Sequence, residues 1–273
     1  MFRSRMLAAV LGTLILSPAA GANNYTLTVE PSYPNAQAQE VYKPLLDYLK
    51  RRTGHTFTLQ IARSYHYHWR DLRESAPTDF AFEEAHFVDY RITHQGFVPL
   101  VRSAEPTRYA LLADPQYEGR DIKSLIGLPV ACMPAPSLGF ALLTQMYDNP
   151  VAQPEVKSEA ATWRDGLQMI FGGDAQGALA PASYADIYPN LVVLARTPEL
   201  PGIAFTASPN VPEDVRQSVA DAMIALHEDS AMYDVLAELG VTQFVPATAA
   251  EYAGQEAILG NFFGYKPVPK KVE

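Results

Sequence analysis

Three short apolar runs, each followed by a stretch of helical periodicity, lie within residues 25–95 and constrain this chain more than anything else in it. Tyr25-Thr26-Leu27-Thr28-Val29 alternates and is rich in β-formers, and Phe57 to Ala62 and Phe80 to Phe82 repeat the pattern. After the first run, Gln39 to Arg52 sets Val41, Leu45, Leu46 and Leu49 on one stripe and stops at Gly54. Helices are predicted next from about His68 to Glu74 and from Ala85 to Gln95. Strand, helix, strand, helix, strand predicts parallel strands joined by crossover helices, so the fold class is α/β.

The pattern restarts after Tyr109-Ala110-Leu111-Leu112-Ala113. Strands are predicted at Leu128–Cys132, near Glu155-Val156, at Gly177–Ala180 and at Leu191–Ala195, with helices at Leu138–Tyr147 and Trp163–Phe171. Gly202 to Ala207 then reads as a strand returning to the first unit, and helices are predicted over Val211–Leu239 and Ala249–Leu259. The chain therefore divides into a lobe of residues 23–108 with 204–273 and a lobe of 109–203, joined by two crossing strands. That is a hinged clamshell, the shape of a type II periplasmic binding protein with its ligand in the cleft.

Arg3 and Arg5, the apolar run Met6–Leu16 and the small residues Ala20-Gly21-Ala22 have the order of a secretory signal peptide over residues 1–22, which implies a periplasmic location. With 21 basic against 30 acidic residues, the chain has no basic footprint for nucleic acid. Cys132 is the only cysteine, so an internal disulfide is impossible. No G-x-S-x-G, P-loop or dinucleotide fingerprint occurs, and a non-enzymatic monomer is expected.

Two polar clusters follow the second and third strands. Ser64-Tyr65-His66-Tyr67-His68-Trp69 and Glu83-Glu84-Ala85-His86 hold three of the six histidines and two adjacent carboxylates. Ligands of open α/β sheets sit at the carboxyl ends of strands. Imidazole and carboxylate together suit zinc, nickel or copper, and nearby Cys132 and Met133 add soft sulfur that favours copper. The candidate metal set is His66, His68, Glu83, Glu84, His86, Met133 and Cys132. His66 and His68 can share an ion only where the chain is still extended, since on a helix residues two apart diverge. The same residues also suit plainer roles: histidines packing at a helix start, acids favoured at a helix N-terminus, a buried strand cysteine. Tyr65 and Trp69 are candidate aromatic walls.

The order of these landmarks resembles the phosphate, phosphite and phosphonate (PhnD-like) ABC-transporter binding proteins over nearly the whole chain after residue 22. Tyr42 to Leu49 with Gly54 is similar to that family's first helix, Ser64-Tyr65 to its aspartate–tyrosine pair, and Asp79-Phe80-Ala81-Phe82 to its third strand. Ile122 to Ala131 and Pro198-Glu199-Leu200-Pro201 are similar to its second-lobe entry and second hinge. The resemblance implies ligand contacts at Tyr65, Glu83 and Ser137. The family's hydroxyl-rich oxyanion loop is here Met133-Pro134-Ala135-Pro136-Ser137-Leu138-Gly139-Phe140, in which only Ser137 keeps a hydroxyl, and the family's later histidine is replaced around Thr162-Trp163. The expectation is a periplasmic solute-binding protein for a transition-metal ion, copper before zinc or nickel. The alternatives are uptake of a phosphonate, phosphite or phosphate-type oxyanion, and a sensing or metal-delivery role. The corresponding partners are an inner-membrane ABC permease, a sensor kinase or an exported metalloenzyme.

Overall fold

The computed structural model of the protein describes residues 22–147 and 149–267; the predicted leader up to Gly21 and the last residues of the tail lie outside them. Strand β1 (Asn24–Val29) leads into helix α1 (Asn35–Thr53), which buries Ala38, Tyr42, Leu45, Tyr48 and Leu49 along one stripe. Gly54 stops it in the left-handed region at φ 75°, where a side chain would be strained. β2 (Thr56–Ile61) follows, then α2 (Tyr65–Arg73), β3 (Phe80–Glu83) and α3 (Ala85–Gln95). The three strands pair in parallel in the order β2-β1-β3, with Leu27 level with Leu59 on one side and Phe80 on the other. The crossover helices of the sequence pattern are all present.

The parallel part is only half of this sheet. β4 (Val98–Ser103), β10 (Ala204–Ala207) and β11 (Phe244–Pro246) complete it antiparallel, giving the order β11-β4-β10-β3-β1-β2. The second sheet contains β5 (Tyr109–Ala113), β6 (Pro129–Ala131), β7 (Glu155–Lys157), β8 (Gly177–Pro181) and β9 (Val192–Arg196) in the order β7-β6-β8-β5-β9. Helices α4 (Leu138–Gln145) and α5 (Trp163–Gly172) pack on it, and a short α6 (Tyr184–Ile187) follows β8. Each lobe has its own apolar core. Leu27, Val29, Leu45, Phe80, Phe82 and Phe205 anchor the first, and Leu111, Val130, Leu138 and Leu179 one side of the second.

Two predicted long helices are broken. Residues 211–239 form α7 (Glu213–Ile224) and α8 (Tyr233–Glu238), separated by 3-10 turns, because the Asp229 carboxylate takes the Ala231 N–H at 3.0 Å and offers the backbone a competing turn. The segment 249–259 forms α9 (Ala249–Tyr252) and then a 3-10 stretch over Gln255–Asn261, divided by Gly254 at φ 89°. Among the described residues no helix is long and apolar enough to cross a membrane.

The two crossings between the lobes run side by side. Thr107 and Leu200 exchange both backbone hydrogen bonds at 2.9 Å, and the Ser103 N–H donates to Ile203 O at 2.9 Å. Gly202 lies between these bonds, and a Cβ there would stand 2.6 Å from Glu105 O and 2.8 Å from Ser103 O. The strands can approach only over a glycine. Gly202→Ala is therefore expected to cost about 1–3 kcal/mol of stability as overpacking, read from urea unfolding midpoints at constant m value.

Candidate functional site

β1 and β3 are neighbours in register, Val29 beside Phe82, so the residues just past their carboxyl ends meet. The Glu84 backbone N–H donates to Glu30 Oε1 at 2.5 Å, and the Tyr109 hydroxyl, from the other lobe, donates to Glu84 Oε1 at 2.6 Å. Both carboxyls open onto a cavity of about 300 Å³ between the lobes. The first lobe lines it with Tyr42, Tyr65, Glu30 and Glu84, the second with Trp163 and Ser183, and Arg108 stands where the chain crosses between them. Arg108, at the rim, pairs with Glu199 at 3.0 Å.

Successive strand residues face opposite ways, and this separates the two adjacent glutamates. Glu83 turns away from the cavity and is fully buried beneath α2 and α3. Arg91 grips it bidentately, Nε to Oε2 at 2.5 Å and Nη2 to Oε1 at 2.8 Å, and His68 Nε2 lies 2.9 Å from Oε1. Burial alone would raise its pKa, but the Arg91 charge with the His68 and Arg91 hydrogen bonds holds it down to about 2. Its contribution to stability is present above pH 4.5 and is lost as pH falls towards about 2.

Glu30 and Glu84 behave in the opposite sense. Burial, then the charge of Glu84, pushes the Glu30 carboxyl well above the usual range against the pull of the Glu84 N–H. Burial lifts Glu84 to about 7 despite the Tyr109 hydroxyl. The folded chain thus keeps protons that the unfolded chain has released between pH 4.5 and about 7. Stability from these groups is greatest at the acid end of that window and is lost as pH rises through it.

The other expected site residues fall into two groups. Tyr65 lines the cavity, with its phenol kept neutral by burial and by the charges of Glu30 and Glu84. The rest do not line it. α2 begins at Tyr65, three residues before the predicted start, behind the extended Ser64. His66 and His68 are therefore already helical and diverge: His66 is exposed, His68 buried against Glu83. Trp69 packs on Phe87 and Tyr90 and donates its Nε1–H to Phe263 O at 2.9 Å, so it walls the first lobe's apolar cluster and not the cavity. His86 is buried; Nε2 meets Pro136 O at 3.1 Å, and burial lowers its pKa to about 3, so the ring is neutral. Cys132 is a buried core residue whose thiol burial keeps protonated. Met133 packs against Tyr65, Trp69 and Phe87. Ser137 caps α4, accepting the Phe140 N–H and donating to Met133 O, both at 3.2 Å. Among the described residues no three His, Cys, Asp or Glu side chains converge as metal ligands would. The geometry that the copper reading requires is not assembled.

Trp163 lies against the start of α4. Its ring lies so close to Gly139 that a Cβ there would stand 2.8 Å from Cη2, and it meets Tyr109 edge-on at 5.3 Å. The indole thus covers the first turn of α4 and forms part of the cavity wall. Glu30, Tyr42, Tyr109, Arg108 and Trp163 were not nominated from the sequence. Only Glu30 carried a usable signal, its place directly after a strand.

Two outcomes test this geometry. Glu83→Ala leaves Arg91 buried without its counter-charge and is expected to cost about 3–5 kcal/mol in urea unfolding. Unliganded protein is expected to be more stable near pH 5 than near pH 8, and Glu84→Gln should flatten that slope when the same melts are compared.

Comparison with known proteins agrees with this architecture. A family model described as the ABC transporter, phosphonate, periplasmic substrate-binding protein matches residues 27–252. No curated protein sequence matches. The fold is similar to PhnD1 of Prochlorococcus marinus, solved with methylphosphonate, at TM-score 0.72 and 11% identity over 87% of this chain and 97% of that one. It is also similar to a binding component of a Pseudomonas aeruginosa ABC phosphonate transporter, at 0.70 and 12% over 85% and 84%. A Xanthomonas citri protein bound to ATP matches at 0.67 and 13% over 88% and 99%. At these identities the likeness is one of fold.

Proposed function

Because this chain belongs to the phosphonate-binding family of ABC-transporter periplasmic substrate-binding proteins, we propose that it captures a small organic ligand of the phosphonate class in its interlobe cavity and presents it to an inner-membrane permease. The observation that carries this reading is the cavity itself. It is about 300 Å³, is lined from both lobes, and lies at the carboxyl ends of β1 and β3. Closing the lobes on a ligand held from both sides is the way a clamshell signals occupancy. The role assigned is binding and delivery, with no chemical step.

Donors available to an anionic headgroup include the hydroxyls of Tyr42, Tyr65, Ser32 and Ser183 and the Arg108 guanidinium. Ionised Glu30 and Glu84 would repel such a headgroup, whereas their protonated forms donate to it. Their raised pKa values therefore give anion binding a definite pH dependence, tighter on the acid side of about 7.

Thermal-shift measurements test this reading. Methylphosphonate is expected to raise Tm, with a larger shift near pH 5.5 than near pH 8, while copper, zinc and nickel leave Tm unchanged. Trp163→Ala, which removes part of the wall from the second lobe, is expected to weaken binding by roughly tenfold or more, by the measure of losing one buried aromatic contact. Stabilisation by metals and not by phosphonates would reject the proposal.

A further inference from the structure

Glu30 Oε2 and Glu84 Oε2 are both buried without a well-formed hydrogen bond among the described residues, although the Tyr65 hydroxyl approaches the Glu30 carboxyl. Both side chains line the cavity, and Glu30 is only 6% exposed. A buried carboxyl oxygen without a donor is costly, and a site that retains two of them side by side is missing a partner. Among the described residues no protein cation fills that place. Arg108 is the one base among the lining residues, and it is exposed at the rim and turned to Glu199. Glu83 contrasts sharply, with the Arg91 guanidinium bonded to both of its oxygens.

We propose that the Glu30–Glu84 end of the cavity is a subsite for an organic ammonium group, so that the ligand this protein captures presents a cationic nitrogen to these two carboxyls. This rests on the reading that the interlobe cavity is the ligand site. An ammonium has three N–H donors, enough for both unpartnered oxygens with one to spare. Tyr42, Tyr65 and Trp163 line the same cavity, and aromatic faces attract a desolvated cation. A metal ion is a poorer fit, because among the described residues no third His, Cys, Asp or Glu converges with these two carboxylates.

The subsite has a proton signature. The titratable groups in electrostatic reach of the pair are Tyr42 from α1, Tyr65 from α2 and Tyr109 from β5, with Glu83 of β3 and Cys132 after β6 turned away from the cavity. Tyr33, Glu105, Arg108, Tyr184 and Glu238 also line it. The phenols and the thiol stay protonated and Glu83 stays ionised, so the pair alone changes charge near neutrality. Seating an ammonium requires the carboxyls ionised and expels the proton they hold. Cation binding therefore strengthens with rising pH, opposite to the behaviour of an anion in the same cavity.

The experiment is calorimetry and thermal shift on the full chain with ethylammonium, ethanolamine and 1,4-diaminobutane, beside acetate and methylphosphonate. The amines are expected to bind about tenfold tighter near pH 8 than near pH 6, with heats that depend on the buffer because a proton is released. Glu30→Gln and Glu84→Gln should each weaken amine binding at least about tenfold. Each should also raise the Tm of unliganded protein at pH 8, which shows that the variants fold; Asp47→Asn on exposed α1 should change neither. Amines that fail to bind, or that bind the two variants as well as the parent, overturn the subsite. If methylphosphonate still binds in that event, the function proposed above stands without it; if neither class binds, both fall.

Discussion

Glu83 and its two partners hold the first lobe in the arrangement on which the cavity depends. The carboxylate is fully buried and fixed by Arg91 from α3 and His68 from α2. A charge so placed is tolerable only with its hydrogen bonds complete, so the three side chains fix the end of β3 against the helices on either side. With Glu83 committed to that face, the alternation of the strand sends Glu84 to the other. The orientation of the cavity carboxyl is thus inherited from an ion pair that never touches the cavity.

The lobes meet through packing as well as through their crossing strands. Met133 from the second lobe lies in one apolar cluster with Tyr65, Trp69, Phe87 and Tyr90, and Leu259 from the late 3-10 segment closes it. Phe262 approaches Phe140 at 6.1 Å, so the same segment touches both lobes. The proline-bearing loop before α4 joins this seam, its Pro136 carbonyl meeting His86. A stretch that in the resembled family serves an oxyanion is here spent on interlobe packing, with Trp163 laid over the helix start behind it.

Much of the fold could be read from the chain, because local pattern and final structure agree there. The apolar runs 57–62 and 80–82, the stripe on α1 and the stop at Gly54 rest on periodicity and on one residue's backbone freedom. β4 and β11 escaped because their pairing is antiparallel and distant, with Phe244 finding Ser103 across the chain. The site was legible by position and not by orientation. Tyr65 and Glu84 lie past the ends of β2 and β3, but a one-residue difference decides which glutamate faces the cavity. A three-residue difference in where α2 starts decides whether His66 and His68 can cooperate. Trp163 was seen only as a departure from a family pattern, since its contact with Gly139 is made entirely by tertiary packing.

The same contact gives the molecule a spectroscopic division of labour. Its two tryptophans occupy different settings. Trp163 forms cavity wall, whereas Trp69 is buried among Phe87 and Tyr90 with its indole N–H tied to Phe263. Emission from the first tracks what enters between the lobes, and emission from the second tracks the hold of the C-terminal segment on α2. Occupancy and docking of the chain's end can therefore be followed separately in the unlabelled protein, by replacing one indole at a time.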